Sequence, residues 1–355
     1  MLSRDWLELC LALLDGDDEV AVRLLGESSA EHNELFKFFK EHHLLGAFGM
    51  ALEGSVTQGQ LSDTLKSDLE KAAAFQRAHN ELVYSTMLEV NEALSSSDVS
   101  VINLKGCYYA DKYWGGIERR FLWDVDILVP FSQFGSAMEV LHANGFRSGL
   151  AHSTNVWLTK GMAHAVTLEG TEVEVDLHRS LRTRPGYRID YAKIWDAPGE
   201  FTVRGSPIGV LPPSYDLLFL LLAVAHDIEC GKLKLKLLLD LRAALLIADP
   251  VTDWNQFFED RALEQLDGLC LQVIDFALQV LGMEHSVPGL TAQLKAAAQR
   301  LRRVSEEKHL RLLHNPRNSL ENRLWFASAS PIGCWRYMTW WATTLPIRYA
   351  VGRKL

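Results

Sequence analysis

Asp124-Val125-Asp126-Ile127-Leu128-Val129, closed by Pro130, begins with acid and aliphatic residues in alternation and ends wholly apolar. In a strand, alternate side chains share a face, so both carboxylates point one way and Val125 points the other. Two acids that close repel, and burial sharpens the conflict unless a cation compensates. A second stretch repeats the pattern: Glu172-Val173-Glu174-Val175-Asp176-Leu177-His178 puts four polar side chains on one face and three aliphatic ones on the other. If the two strands lie side by side, Asp176 adds a third carboxylate to Asp124 and Asp126. Hard oxygen ligands of that kind suit Mg²⁺, or Mn²⁺ in its place, together with substrate phosphates and water. Taken singly, each strand also reads as a solvated edge. Together, with Leu104-Lys105-Gly106 upstream, they favour a metal centre.

Around these strands the pattern is α+β. Residues 2–96 read as helical, with a long amphipathic segment from Gln60 to Leu94 whose apolar positions include Leu61, Leu65, Leu69, Ala73, Phe75 and Leu82. Ser95-Ser96-Ser97-Asp98 breaks it, and Val99–Leu104 then reads as a strand. Further strands are expected at Thr154–Leu158, His164–Leu168, Glu172–Leu177, Phe201–Val203 and Pro207–Val210, and helices over Tyr108–Tyr113 and Ser132–Ala143. Gly170 suggests a hairpin. Pro212-Pro213-Ser214 opens a helix over Tyr215–Ala225, with Ser214 as the expected N-cap, and residues to about 303 read as helical again. The expected division is a helical region at 1–97, a catalytic core at 98–211, a helical domain at 212–310 and an aromatic, basic tail at 311–355.

Gly106 allows close approach of backbone to phosphate oxygens, and Lys105 can neutralise a phosphate as a mobile point charge. Either residue also reads as an ordinary turn. Arg119 and Arg120 stand within reach of the acidic pair, and a surface salt bridge is the plain alternative for each. His178 shares the face of Asp176 and can orient a carboxylate, contact substrate or accept a proton. His226 and Asp240 lie in apolar helical segments, where a core histidine and a carboxylate bonded to Lys234 or Lys236 are the plainer readings.

The net charge of −9 over 355 residues argues against a chain-wide nucleic-acid surface. Cys10, Cys107, Cys230, Cys270 and Cys334 are scattered without metal spacing, which fits a reducing cytoplasm. The first twenty residues lack the basic start of a signal peptide, and no apolar run approaches about 18 residues. In the tail, Trp335, Tyr337, Trp340, Trp341 and Tyr349 accompany Arg336, Arg348, Arg353 and Lys354. That mixture suits a peripheral membrane contact, a protein partner or the packing of a final helix. Arg300, Arg302 and Arg303 read as a solvated helix face.

Leu104-Lys105-Gly106, Tyr113, Arg120, the Asp124–Val129 strand and Asp176-Leu177-His178 together resemble the bacterial "family 5" uncharacterised nucleotidyltransferases of the DNA polymerase β-like superfamily. The resemblance covers roughly residues 5–280. It implies a mixed sheet flanked by helices, metal held by Asp124, Asp126 and Asp176, and a nucleoside triphosphate such as ATP held by Lys105, Gly106 and Arg120. It matches Arg120 rather than Arg119 and Asp176 rather than Glu174. Tyr113, His178, His226 and Asp240 become candidate substrate contacts. The implied reaction moves a nucleoside monophosphate to an acceptor, whose identity the motifs leave open, and releases pyrophosphate. The chain departs from the wider pattern in its Lys105-Gly106 turn, in the longer gap to the acids and in Trp123, which is expected to narrow the nucleotide pocket. These departures motivate a rival reading, a nucleotide- or partner-binding protein that keeps the fold without turnover. Phosphoryl transfer to a small acceptor is a third.

Overall fold

Seven strands carry the two acidic stretches and their neighbours: β1 (Ile102–Asn103), β2 (Asp124–Leu128), β3 (Arg147–Ser148), β4 (Ala165–Glu169), β5 (Glu174–His178), β6 (Gly199–Val203) and β7 (Ser206–Val210). In the computed structural model they form one mixed sheet in the order β3-β4-β5-β2-β1-β7-β6. The structure describes residues 4–27, 32–53, 55, 59, 61–148, 165–170, 172–181 and 187–297. The strand expected at 154–158, the arginines at 300, 302 and 303, and the tail at 311–355 lie outside them.

The period-two pattern places the sheet's centre. β2 and β5 pair in parallel, with Val125 opposite Val175 and Ile127 opposite Leu177, all four buried. Burying an aliphatic side chain of this size is worth about 1.5–3 kcal/mol, so a one-residue slip, which would put the acids in the core, is strongly disfavoured. β4 pairs antiparallel with β5 across the segment containing Gly170. β6 and β7 form a hairpin whose two turn residues, Arg204 and Gly205, both have positive φ, matching the twist of a tight hairpin.

The expected strand over 99–104 shortens to Ile102–Asn103 because its first residues bond elsewhere. Val99 donates its N–H to Leu94 at the end of the preceding helix, and Ser100 donates to the Gln133 side chain at 2.8 Å.

The helical start comprises α1 (Arg4–Asp15), α2 (Asp18–Glu27), α3 (His32–Glu41) and α4 (Leu45–Leu52), followed by the 33-residue α5 (Asp63–Ser95). Ser62 caps α5, its hydroxyl accepting from Leu65 N–H at 3.3 Å. The buried stripe of α5 is Leu65, Leu69, Ala73, Gln76, Asn80, Val83, Met87, Val90 and Leu94. Phe75 and Leu82, expected on that stripe, are exposed. They fall off the i, i+3, i+4 sequence that two buried amides complete. α6 (Cys107–Trp114) and α7 (Phe134–Ala143) flank the sheet.

After the short α8 (Tyr191–Asp196) and the β6–β7 hairpin come α9 (Pro213–Cys230), α10 (Leu235–Ala248), α11 (Trp254–Leu263), α12 (Asp267–Leu281) and α13 (Pro288–Ala296). α9 starts two residues earlier than expected. Pro212 is its N-cap and Ser214 lies inside the first turn, because Pro213 has no N–H to satisfy and a φ already suited to that position.

Candidate metal and nucleotide centre

The parallel register sets Asp126 directly beside Asp176, Asp124 beside Glu174, and Leu128 beside His178. Asp126 is buried, and its Oδ1 lies 3.2 Å from His178 Nε2. Asp176 accepts a hydrogen bond from Thr167 Oγ1 at 2.6 Å, which fixes its carboxylate. One ligand atom from each of Asp126, Asp176 and His178 falls within 4.8 Å of the other two. Opposite ligands of Mg²⁺ stand about 4 Å apart, and the spacing of this group is close to that. Two hard carboxylates with a borderline imidazole also accept Mn²⁺. The donor set therefore fits a divalent ion.

The expected trio was Asp124, Asp126 and Asp176. The compact group instead contains His178, and Asp124 stands beside Lys105. Lys105 Nζ lies 2.9 Å from Asp126 Oδ2 and 3.6 Å from Asp124 Oδ1, so one ammonium bridges the DxD pair. Burial pushes the Asp124 carboxyl up to about 6, and Asp126 adds to the rise. Burial acts the same way on Asp126, but Lys105 and the hydrogen bond from His178 outweigh it and hold that carboxyl below its usual range. Lys105 is raised in turn: burial favours its neutral form, and the two aspartates more than reverse that.

Gly106 follows with φ 71° and ψ −124°, a combination that only glycine adopts without strain, and a β-carbon there would lie 3.6 Å from the Asp124 carbonyl oxygen. It is the N-cap of α6 and supplies no side-chain acceptor. The first amides of α6 accordingly begin beside Lys105 and Asp124 without a side-chain cap.

α6 is held from behind by two buried aspartates of the helical part. Asp216 on α9 accepts from Tyr109 at 2.8 Å, Tyr108 at 2.9 Å and Tyr113 at 3.1 Å, and pairs with Lys112 at 3.0 Å. Burial, then the Asp216 charge, raises all three phenols, which therefore stay protonated as donors. Asp240 on α10 is fully buried. It takes Arg120 Nε at 2.8 Å and Nη2 at 2.7 Å, and Trp114 Nε1 at 2.8 Å.

Arg120, expected at the triphosphate, and Asp240, expected at the substrate, thus meet in one buried bidentate pair. Lys234 and Lys236 do not take that position. Tyr113 turns to Asp216, and His226 lies on α9 with its ring 3.5 Å from Cys230 Sγ. Neither belongs to the carboxylate group.

A family model described as "uncharacterised nucleotidyltransferase" matches residues 28–282, well over half of the chain. The chain belongs to this family. A search of curated proteins found no match. Among solved structures, the antibiotic-resistance factor ANT(2'')-Ia is similar at 13% identity and a TM-score of 0.35, over 51% of this chain and 90% of that one. An antigenic nucleotidyltransferase-like protein from Paracoccidioides brasiliensis is similar at 12% identity and 0.30, over 54% and 91%. In this family member, the sheet and its flanking helices bring together the DxD strand, the later acidic strand and the Lys105-Gly106 turn.

Sequence reasoning missed the polar residues that position this centre. Asn80 on α5 donates to the carbonyls of Ile117 at 2.6 Å and Arg120 at 2.8 Å, and accepts from Leu122 N–H at 3.1 Å. Gln76 donates to the Glu118 carbonyl at 2.7 Å. These amides hold the segment that delivers Asp124. The available signal was their helical spacing with the apolar stripe, where a polar residue must find a partner. Asp216, facing the tyrosine-rich run Tyr108–Trp114, was missed as well.

Proposed function

We propose that this family member transfers a nucleoside monophosphate from a nucleoside triphosphate to an acceptor in a divalent-metal-dependent reaction. The observation that carries the reading is the direct pairing of Asp126 with Asp176 on neighbouring parallel strands, with His178 completing a group of ligand atoms within 4.8 Å. In this reading Asp126, Asp176 and His178 hold the ion, and Asp124 joins when Lys105 turns to phosphate. A bound Mg²⁺ or Mn²⁺ supplies neutralisation of phosphate charge and acidification of an attacking hydroxyl.

The remaining work falls to the chain's own groups. Lys105 and the first amides of α6 bind the triphosphate. Gly106 lets it approach the backbone. Arg120, paired bidentately with Asp240, positions the strand entry and adds positive field near Asp126. An acceptor hydroxyl gives its proton to solvent, its oxygen forms a bond to the α-phosphorus, the bond from that phosphorus to the α–β bridging oxygen breaks, and pyrophosphate leaves with the electron pair. The free thiols among the described residues, Cys10, Cys107, Cys230 and Cys270, suit a reducing cytoplasm.

Incubation with labelled ATP, GTP, CTP or UTP and Mg²⁺ across a panel of small-molecule and protein acceptors tests the proposal. Pyrophosphate release and a nucleotidylated product are expected, and Asp126→Asn should reduce both by about a hundred- to a thousandfold, the scale on which charge stabilisation of a transition state operates. Full turnover in the variant would reject the assigned role, and a product heavier by one phosphoryl group alone would reject nucleotidyl transfer. A second reading draws on Lys105, whose ammonium already neutralises Asp124 and Asp126: a binding protein that takes nucleotide without metal. Calorimetry separates the two, because that reading requires the nucleotide affinity to survive chelation of divalent ions.

A further inference from the structure

Four rings approach a common plane orientation beside the carboxylate centre. Phe75 is parallel to His79 within 7°, His79 to Phe121 within 16°, and Phe121 to His43 within 7°, each pair with centroids 5.7 Å apart. Trp123 leans on two of them, 5.9 Å from Phe121 and 6.5 Å from His43. The set comes from three places in the chain: α5, the turn before α4, and the residues that lead into β2. Trp123 is 60% exposed and Phe75 64% exposed. A cluster that served only the core would bury its largest ring, whereas this one presents an indole to solvent one residue before Asp124. Burial and the charges of Lys236 and Lys234 push His43 down to about 4, so its ring joins the array as a neutral imidazole.

The array is continuous with the charged part of the site. Lys236 Nζ donates to the Phe121 carbonyl at 2.9 Å and stands 5.7 Å from that ring's centroid. The same ammonium feels the charges of Lys105 and Asp124. An aromatic surface therefore borders two lysines, Lys236 and Lys105, the second of them at the DxD pair. A nucleotide has that polarity: a planar ring at one end and a polyanion at the other.

We infer that Trp123, backed by Phe121 and His43, is the stacking platform for the nucleobase of the donor nucleoside triphosphate, with Lys236 on the phosphate side. The inference rests on the nucleotidyl-transfer reading and adds to it the residues that hold the base. It also reassigns Trp123: the bulky residue expected to crowd the pocket becomes one of its contacts. Stacking is tolerant of base identity, because every base offers a π face, and purines stack over more area than pyrimidines.

The test is calorimetric titration of the full chain, in Mg²⁺, with each of the four nucleoside triphosphates and with inorganic tripolyphosphate, for wild type, Trp123→Ala, Trp123→Phe and Asp126→Asn. Wild type should bind at least one nucleotide more tightly than tripolyphosphate, with quenching of tryptophan fluorescence. Trp123→Ala should weaken that nucleotide about tenfold, the scale of one lost stacking contact, abolish the added quenching and leave tripolyphosphate unchanged. Trp123→Phe should recover most of the affinity. Equal affinity of wild type for nucleotide and tripolyphosphate overturns the platform, and so does a parallel loss of both ligands in Trp123→Ala. If Trp123→Ala binds nucleotide like wild type while Asp126→Asn does not, the platform is wrong and the metal-dependent reading stands. If Asp126→Asn binds every ligand like wild type, the reading itself fails.

Discussion

Asp126 lies opposite Asp176 across the strand pair, accepts from His178 and pairs with Lys105. Lys105 and His178 make its negative charge tolerable in a buried position, and the Asp176 carboxylate opposes them. Lys105 is the neighbour a divalent ion would compete with, since it bridges the same two carboxylates. Lys105→Met should therefore tighten Mn²⁺ binding, because the competing ammonium is gone. The same change should weaken nucleotide binding about tenfold or more, because a charge-assisted phosphate contact is lost. Calorimetry on the two ligands reads both effects, and a change of the same sign for both would contradict the assignment. The acids themselves were legible in the sequence, because period-two alternation reports side-chain direction without any knowledge of neighbours. The inclusion of His178 in the compact ligand group was not, since it depends on which residues of two strands come level.

α6 is the element that links the sheet to the helices behind it. Its start is set by Gly106, and its body is bonded to Asp216 and, through Trp114, to Asp240. Gly106→Ala should cost about 1–3 kcal/mol in urea unfolding, since the new side chain must adopt a backbone region reserved for glycine; an unchanged midpoint would show that the turn relaxes freely. Arg120→Met leaves the buried Asp240 charge with no cation and only the Trp114 indole N–H as a partner, which should cost about 3–5 kcal/mol. The Arg120→Met/Asp240→Leu double variant should recover a large part of that loss, and a double variant as unstable as the single one would exclude the pair as the source. None of these links was readable beforehand. Arg120 and Asp240 are 120 residues apart, and Asn80 meets its carbonyl partners about 40 residues away. Local patterns place a polar residue on a helix face, but only the packed chain supplies its partner. β1 was overextended for a related reason: β propensity marks Val99–Leu104 equally, while the ladder uses two residues of it.

At the scale of the whole molecule, the sheet joins sequence segments separated by 50 residues into one charged centre, and the folded chain carries the cost of collecting like charges there. Lys236 records that cost. Burial, then Arg120, lowers its ammonium from 10.5 to about 7, against the opposing pull of Asp240. Between about pH 7 and 10.5 the unfolded chain holds a proton that the folded chain has released, so stability should rise with pH across that window. Lys236→Met should flatten the rise, measured as urea midpoints at pH 7 and pH 9.5; an unaltered slope would remove Lys236 as its origin. Fold class was legible because strand and helix periods differ and because the acidic strands announce themselves. The way α9 and α10 lock onto α6 was not, since their apolar faces would pack equally well on other surfaces. Metal-dependent turnover requires a cation shared between β2 and β5. Electron paramagnetic titration of Mn²⁺ into wild type and Asp176→Asn, each with saturating nucleotide, tests that sharing. Wild type should hold one ion tightly and the variant should bind it at least about tenfold more weakly; identical Mn²⁺ affinity in the two proteins would contradict a shared cation.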